Sequence, residues 1–200
     1  MLEFVPFEMI EKLMEKNSSR DKVELVNELI SRVIFLPHSE FLKFERVLGA
    51  STNRKTPAFY YKGHAFLDVS SANREDASKS IIHEVVHAVC GLNKRHFGKY
   101  EDVLPNALEL FVEAQRSKTE KARSLRIAKS TYRGSHDSND YVRAVNRGRK
   151  VFIMAQELEE KSRRNATLFF FQDLFRSDVL NDYALDSAAR AAIEKHPAQK

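Results

Sequence analysis

Residues 83–87 read His-Glu-Val-Val-His, inside a stretch whose pattern predicts a complete, buried helix. Between Asp76 and Gly91, residues Ile81, Ile82, Val85, Val86, Val89 and Cys90 make most of a helical circumference apolar. Asp76 or Ser78 suits the N-cap, and Gly91 suits the position just past the end. On such a helix His83 and His87 stand one turn apart on the same face. Buried imidazoles and carboxylates need partners, because an unpaired polar group there costs roughly 2–7 kcal/mol. A metal ion supplies them. Two imidazoles so spaced can close on one zinc ion at about 2.0–2.1 Å each. Glu84, beside the first of them, can reach a water as general base without ligating the metal. The competing reading, a surface helix with two unrelated histidines, leaves the apolar flanks unexplained.

A catalytic zinc site needs a third protein ligand and an open position for water. A third histidine six residues after His87, preceded by a glycine at position 90, is absent, since those positions are Asn93 and Cys90. His96 is one option, in the polar stretch Leu92–Tyr100. The favoured option is on the next predicted helix, Asn106-Ala-Leu-Glu-Leu-Phe-Val-Glu-Ala, which follows Pro105 and takes Asn106 as its cap. Glu109 and Glu113 lie four apart on one face, while Leu108, Phe111 and Val112 point inward. Two such carboxylates on their own would suggest a solvated edge. Behind a two-histidine helix lacking an anionic ligand, Glu109 is expected on the zinc. Glu113 is expected to accept from the outer N–H of a ligand histidine and so fix its tautomer.

His-Glu-x-x-His followed by a helical Glu resembles the gluzincin arrangement of zinc metallopeptidases. The Asn106–Ala114 segment is similar to the ligand-bearing helix of the anthrax lethal factor catalytic domain and of the Pro-Pro endopeptidases. The likeness spans roughly residues 57–116. It implies a zincin-like fold, zinc held by His83, His87 and Glu109, and Glu113 beside them. In that family a Tyr shortly before the ligand helix stabilises the oxyanion. Tyr100 is the nearest match, nine residues before Glu109, with His96 as substitute.

Ahead of the active helix, Ala58–Ser70 reads as two short strands around a tight turn at Lys62-Gly63. Ala65, Leu67 and Val69 alternate with His64, Phe66 and Asp68, imperfectly because Phe66 is apolar. The resemblance implies that one of these strands pairs with extended substrate, against the plainer reading of a hairpin covering a helical core. Elsewhere helices dominate. One carries Val23, Val26, Leu29, Ile30, Val33 and Ile34, and a second starts at Ser39 with Phe41, Leu42, Phe44 and Leu48. The Glu109 helix is expected to continue to Ala128, with further helices near 140–162, 166–183 and 185–195. The fold class expected is helix-dominated α+β with a small hairpin or sheet. With the resemblance, the 200 residues are expected to form a single zincin-like domain: helices over 1–56, hairpin plus zinc-ligand helices over 57–128, and helices over 129–195.

Hydrophobic residues at 42%, with 14 Phe, exclude a disordered chain, and one cysteine excludes an internal disulfide framework. No apolar run approaches the length of a membrane span. The acidic N-terminus lacks the basic start of a Sec signal, so a cytosolic protein is expected, with export by a signal-less machine as an alternative. The net charge of +5 gathers at Arg116, Lys118, Lys121, Arg123, Arg126 and Lys129, then at Arg143, Arg147, Arg149 and Lys150. This reads as a solvated face, or as attraction for an acidic protein substrate. Aromatics are not interleaved with these charges, so sequence-specific nucleic-acid binding is not expected. The resulting expectation is a zinc endopeptidase acting on a specific protein, in the manner of an effector acting on a host protein. The alternatives are a cytosolic regulatory peptidase that cleaves a repressor, or a zinc-stabilised interaction module without turnover.

Overall fold

Arg32-Val-Ile-Phe-Leu-Pro37 places four apolar residues, two of them β-branched, ahead of a proline, and they form strand β1, Val33–Leu36. The computed structural model describes residues 31–47, 58–71, 82–88, 101–134, 138–162, 164–177 and 179–196. After β1 come α1 (His38–Val47), β2 (Ala58–Tyr61), β3 (His64–Asp68) and a 3₁₀ turn, Val69–Ser71. Residues 82–88 are helical and are termed α2. There follow α3 (Val103–Arg116), α4 (Lys118–Lys129), α5 (Asn139–Ser162), α6 (Arg164–Arg176) and α7 (Asp182–Lys195). This is a helix-dominated α+β architecture with one small sheet. Among the described residues no helix is long and apolar enough to cross a membrane.

The sheet has the order β1-β3-β2. β2 and β3 form the expected hairpin, antiparallel, with Tyr61 opposite His64. Its two turn residues, Lys62 (φ 45°) and Gly63 (φ 86°), both take the left-handed conformation that a tight two-residue hairpin demands. β1 pairs parallel to β3, with Val33 opposite Ala65. It corrects the helix expected through Val33 and Ile34: the β-branched run and Pro37 favour extended chain over a last helical turn. The rest of that predicted helix lies outside the described residues.

Both faces of the sheet are covered. Ala65, Tyr60 and Val33 pack on the main helical core, while Phe59, Phe66, Ile34 and Leu36 pack with Phe41 of α1 in a smaller cluster. That explains Phe66, whose apolar side chain faces a second core rather than water. The main core is built from α2, α3 and the helices after it, around Leu104, Leu108, Phe152, Phe170, Phe171 and Leu174. α3 packs most extensively on α5.

Several helix boundaries differ from expectation. α3 begins at Val103, with Pro105 inside its first turn, where a missing N–H costs nothing. It ends at Arg116, because Ser117 turns to extended backbone (φ −165°) and its hydroxyl accepts from Glu120 N at 3.1 Å, starting α4. α6 stops at Arg176 rather than 183, and Asn181 caps α7 by accepting from Ala184 N at 2.9 Å.

Candidate metal centre

α2 buries Ile82, Val85, Val86 and Ala88 and leaves His83 and Glu84 half-buried and His87 buried, all within one helical turn. This fixes the two imidazoles on one side of a rigid element. His87 is further held by Tyr60 of β2, whose ring stacks on it at 5.2 Å between centroids and 23° between planes. The N-terminus of α3 faces them. His83 Nε2 and His87 Nε2 are 3.3 Å apart, and Asp102 Oδ1 stands 3.3 Å from the first and 3.2 Å from the second.

These three atoms form a near-equilateral triangle. A tetrahedral ion with bonds of about 2.0–2.1 Å has ligand–ligand edges of about 3.3–3.4 Å, so the triangle fits one face of such a site. As hydrogen bonds the same contacts are long, since a charge-assisted N–H···O bond closes to about 2.7–2.9 Å, and the two Nε2 atoms, each placed to donate to Asp102, confront each other at 3.3 Å. His83, His87 and Asp102 thus form a group able to hold a metal ion.

The charges point the same way. Burial would push the His83 imidazolium down, but hydrogen bonding to Asp102 and Glu109 and the charges of Glu84 and Glu109 outweigh it and lift its pKa to about 10. Burial would raise Asp102, yet its bonds to His83 and His87 hold it well below the usual carboxylate range. Glu84 is raised, chiefly by burial and also by the charges of Asp102 and Glu109, against the lowering effect of the two histidines. A carboxylate whose proton affinity is raised beside a trio able to hold a metal ion is suited to accept a proton.

Glu109, expected on the metal, is not part of the trio. Its Oε2 lies 3.5 Å from His83 Nδ1, the outer nitrogen, which is the orienting role expected of Glu113. Glu113 lies one turn further along α3, buried, with Oε1 accepting from Arg116 Nη1 at 2.9 Å. The physical reason is the early start of α3, which brings Asp102 to its tip against the histidines and leaves Glu109 two turns along the helix. The sequence signal for Asp102 was an Asp ahead of Val-Leu-Pro-Asn, a usual N-cap pattern, masked by taking Asn106 as the cap. Tyr100, His96 and Cys90 lie outside the described residues. In the basic stretch Lys121 pairs with Glu160, Arg123 with Glu120, and Arg147 and Lys150 with Asp182. The chain was compared with protein-family models, curated proteins and solved structures, and none matches. The likeness to the lethal factor domain therefore rests on the quoted residues alone.

Proposed function

We propose that the protein is a zinc-dependent endopeptidase that hydrolyses a peptide bond in a protein substrate. The observation that carries this reading is the 3.2–3.3 Å triangle of His83 Nε2, His87 Nε2 and Asp102 Oδ1, with Glu84 on the same helix and not among its corners. Two imidazoles and one carboxylate are the donor set of a catalytic zinc, with a fourth position left for water or substrate. A zinc ion held there supplies Lewis acidity toward a carbonyl oxygen and a water of lowered pKa. His83 and His87 would hold the ion through Nε2, and Glu109 at His83 Nδ1 would fix that ring's orientation and tautomer. Tyr60 stacks on the His87 ring and limits its rotation. Glu84 takes a proton from the attacking water and returns it to the leaving amine, and its raised proton affinity suits both steps.

An interaction module merely clamped by zinc is the competing reading. It gives Glu84 no task, since a structural site tends to close its fourth position with Cys or His. Zinc-loaded wild type and Glu84→Gln, incubated with a denatured cell lysate and read by new N-termini, separate the two. Cleavage by wild type alone supports the peptidase. No new N-termini from either, at full zinc occupancy, refutes it. The substrate's identity, and the effector or regulatory setting, belong to the same proposal.

A further inference from the structure

Glu109 serves two neighbourhoods. One carboxylate oxygen faces His83, and the residue also lines a cavity of about 160 Å³ between α3, α4 and α5. We infer that this cavity is a binding site for a carboxamide side chain of a peptide, glutamine above all. A void of about 150 Å³ holds one benzene, so the space suits a single side chain.

The charged side chains of the lining are balanced, two against two, beside the neutral Asn106 and Ser124. Glu109 and Glu113 come from α3, Arg123 from α4 and Arg149 from α5. A cationic guest would meet both guanidiniums and an anionic guest both carboxylates. A neutral group that donates through one atom and accepts through its neighbour meets complementary partners on each side, and a carboxamide is such a group. Glu113 makes the demand specific. It is 4% exposed, Oε1 is taken by Arg116, and Oε2 is buried with no hydrogen-bond partner among the described residues. A buried carboxylate oxygen left in that state is unfavourable, and a turn of the Glu113 carboxyl toward the cavity it lines would bring it to an amide N–H seated there.

Among the cations of the lining, Arg149 is fixed in direction. Its Nη1 donates to Ser130 O and Oγ at 2.8 and 3.1 Å, and its guanidinium lies 5.4 Å from the Tyr132 ring centroid. Arg123 stands 3.8 Å from Glu120 Oε2, beyond hydrogen-bond length, so its N–H groups can turn to a guest carbonyl. Tyr132 and Tyr141 meet edge to face at 6.2 Å and make an aromatic corner of the lining. Leu110, Ile127 and Val145 give the apolar surface that a two-methylene stem covers, which favours glutamine over asparagine. Through Glu109 the cavity adjoins the metal centre, so a residue seated there would sit close to the bond to be cut. That last role rests on the peptidase reading, whereas the binding itself does not.

The test is an amide-resolved NMR titration of the whole chain with N-acetyl-glutamine methylamide and its glutamate, arginine and leucine counterparts. The expected result is saturable shifts around Glu113, Tyr141 and Arg149, with the glutamine probe at least about tenfold tighter than the others. Glu113→Leu should abolish that preference. Arg123→Leu, at a half-exposed position whose loss the fold tolerates, should weaken it as well. No saturable shift, equal binding of all four probes, or a preference unchanged in Arg123→Leu overturns the inference. Glutamine binding by a protein that cleaves nothing upholds this inference and counts against the peptidase. Cleavage without probe binding overturns this inference alone.

Discussion

Gly148 is where α5 presses on the first turn of α3. A β-carbon at that position would stand 2.7 Å from Val103 O, 2.8 Å from Asn106 Cβ and 3.3 Å from Ala107 N. Comfortable carbon contacts lie at about 3.5–4.0 Å, so in Gly148→Ala the two helices must part by roughly 0.7 Å or more. None of the three obstructing atoms can swing away, since two are backbone and the third is a Cβ. Overpacking of this kind costs about 1–3 kcal/mol. Alanine's better helix propensity returns about 0.8–1.0 kcal/mol, so the expected net loss is about 0–2 kcal/mol. The displaced turn begins one residue after Asp102, so the oxygen corner of the metal trio moves with it, and zinc affinity should fall alongside stability. Urea unfolding of metal-free and zinc-loaded protein measures the first effect, and calorimetric zinc titration the second. A variant about 1 kcal/mol more stable than wild type would mean that propensity alone governs the site, and would refute the close-contact argument. The expected destabilisation with unchanged zinc affinity would refute only the link to Asp102.

Asp102→Ala should lose most metal binding, whereas Glu109→Gln should weaken it about 10–100-fold, the usual effect of losing a carboxylate that orients a ligand histidine. Metal analysis giving the reverse order would restore Glu109 as the third ligand. Glu84→Gln should keep the metal and the fold while losing about 10²–10⁴ of cleavage rate, and a wild-type rate would end its assignment as base. The pH dependence has a definite sign in metal-free protein. His83 is raised from 6.5 to about 10, so its contribution to stability is complete below pH 6.5 and is lost as pH rises through about 10. Asp102 is shifted downward, so its contribution is present above the ordinary carboxylate range and is lost in strong acid. Metal-free Tm should therefore decline across roughly pH 7–10, while zinc affinity climbs because the ion must displace the His83 proton. Zinc affinity that is flat over that range would contradict the assignment of His83 as a ligand.

The parts of the fold legible in the sequence are those where one local signal decides the structure. Lys62-Gly63 between two apolar runs leaves the chain little choice but a tight hairpin, and the all-round apolar pattern of α2 leaves it little choice but burial. Ser117 was less legible. Its neighbours Gln115 and Lys118 favour helix, and a hydroxyl that can cap a helix is common inside one too. β1 was hidden because Val33 and Ile34 continue the helical spacing of Ile30, and only partnership with β3, thirty residues on, settles the matter. The metal trio divides similarly. His83 and His87 are set by a spacing of four within one helix. Asp102 reaches them across fifteen or more residues of chain, and no periodicity encodes a contact made by the tip of a different helix.

On the proposed metal-site reading, the position of Asp102 accounts for a third corner that is an aspartate from a helix end rather than a glutamate from its middle. At the N-cap of α3 a carboxylate would ordinarily close on the backbone N–H groups of the first turn, a bond whose loss costs about 1 kcal/mol. Here the side chain makes no such bond. The turn is held instead through the Asp102 carbonyl, which accepts from Asn106 Nδ2 at 2.7 Å and from Asn106 N at 3.2 Å. The carboxylate is thereby released toward the histidines while staying at the positive end of the helix dipole, which favours its ionised form. A short side chain on a backbone held at its own carbonyl by Asn106 has few rotamers to lose on binding an ion. A glutamate two turns along the helix would have to order one more torsion and leave His83 Nδ1 without its acceptor. The arrangement therefore predicts that Asp102→Glu, although it keeps the charge, binds zinc more weakly than wild type. Calorimetry showing equal affinity would mean that charge alone, not the anchored geometry, makes the third corner.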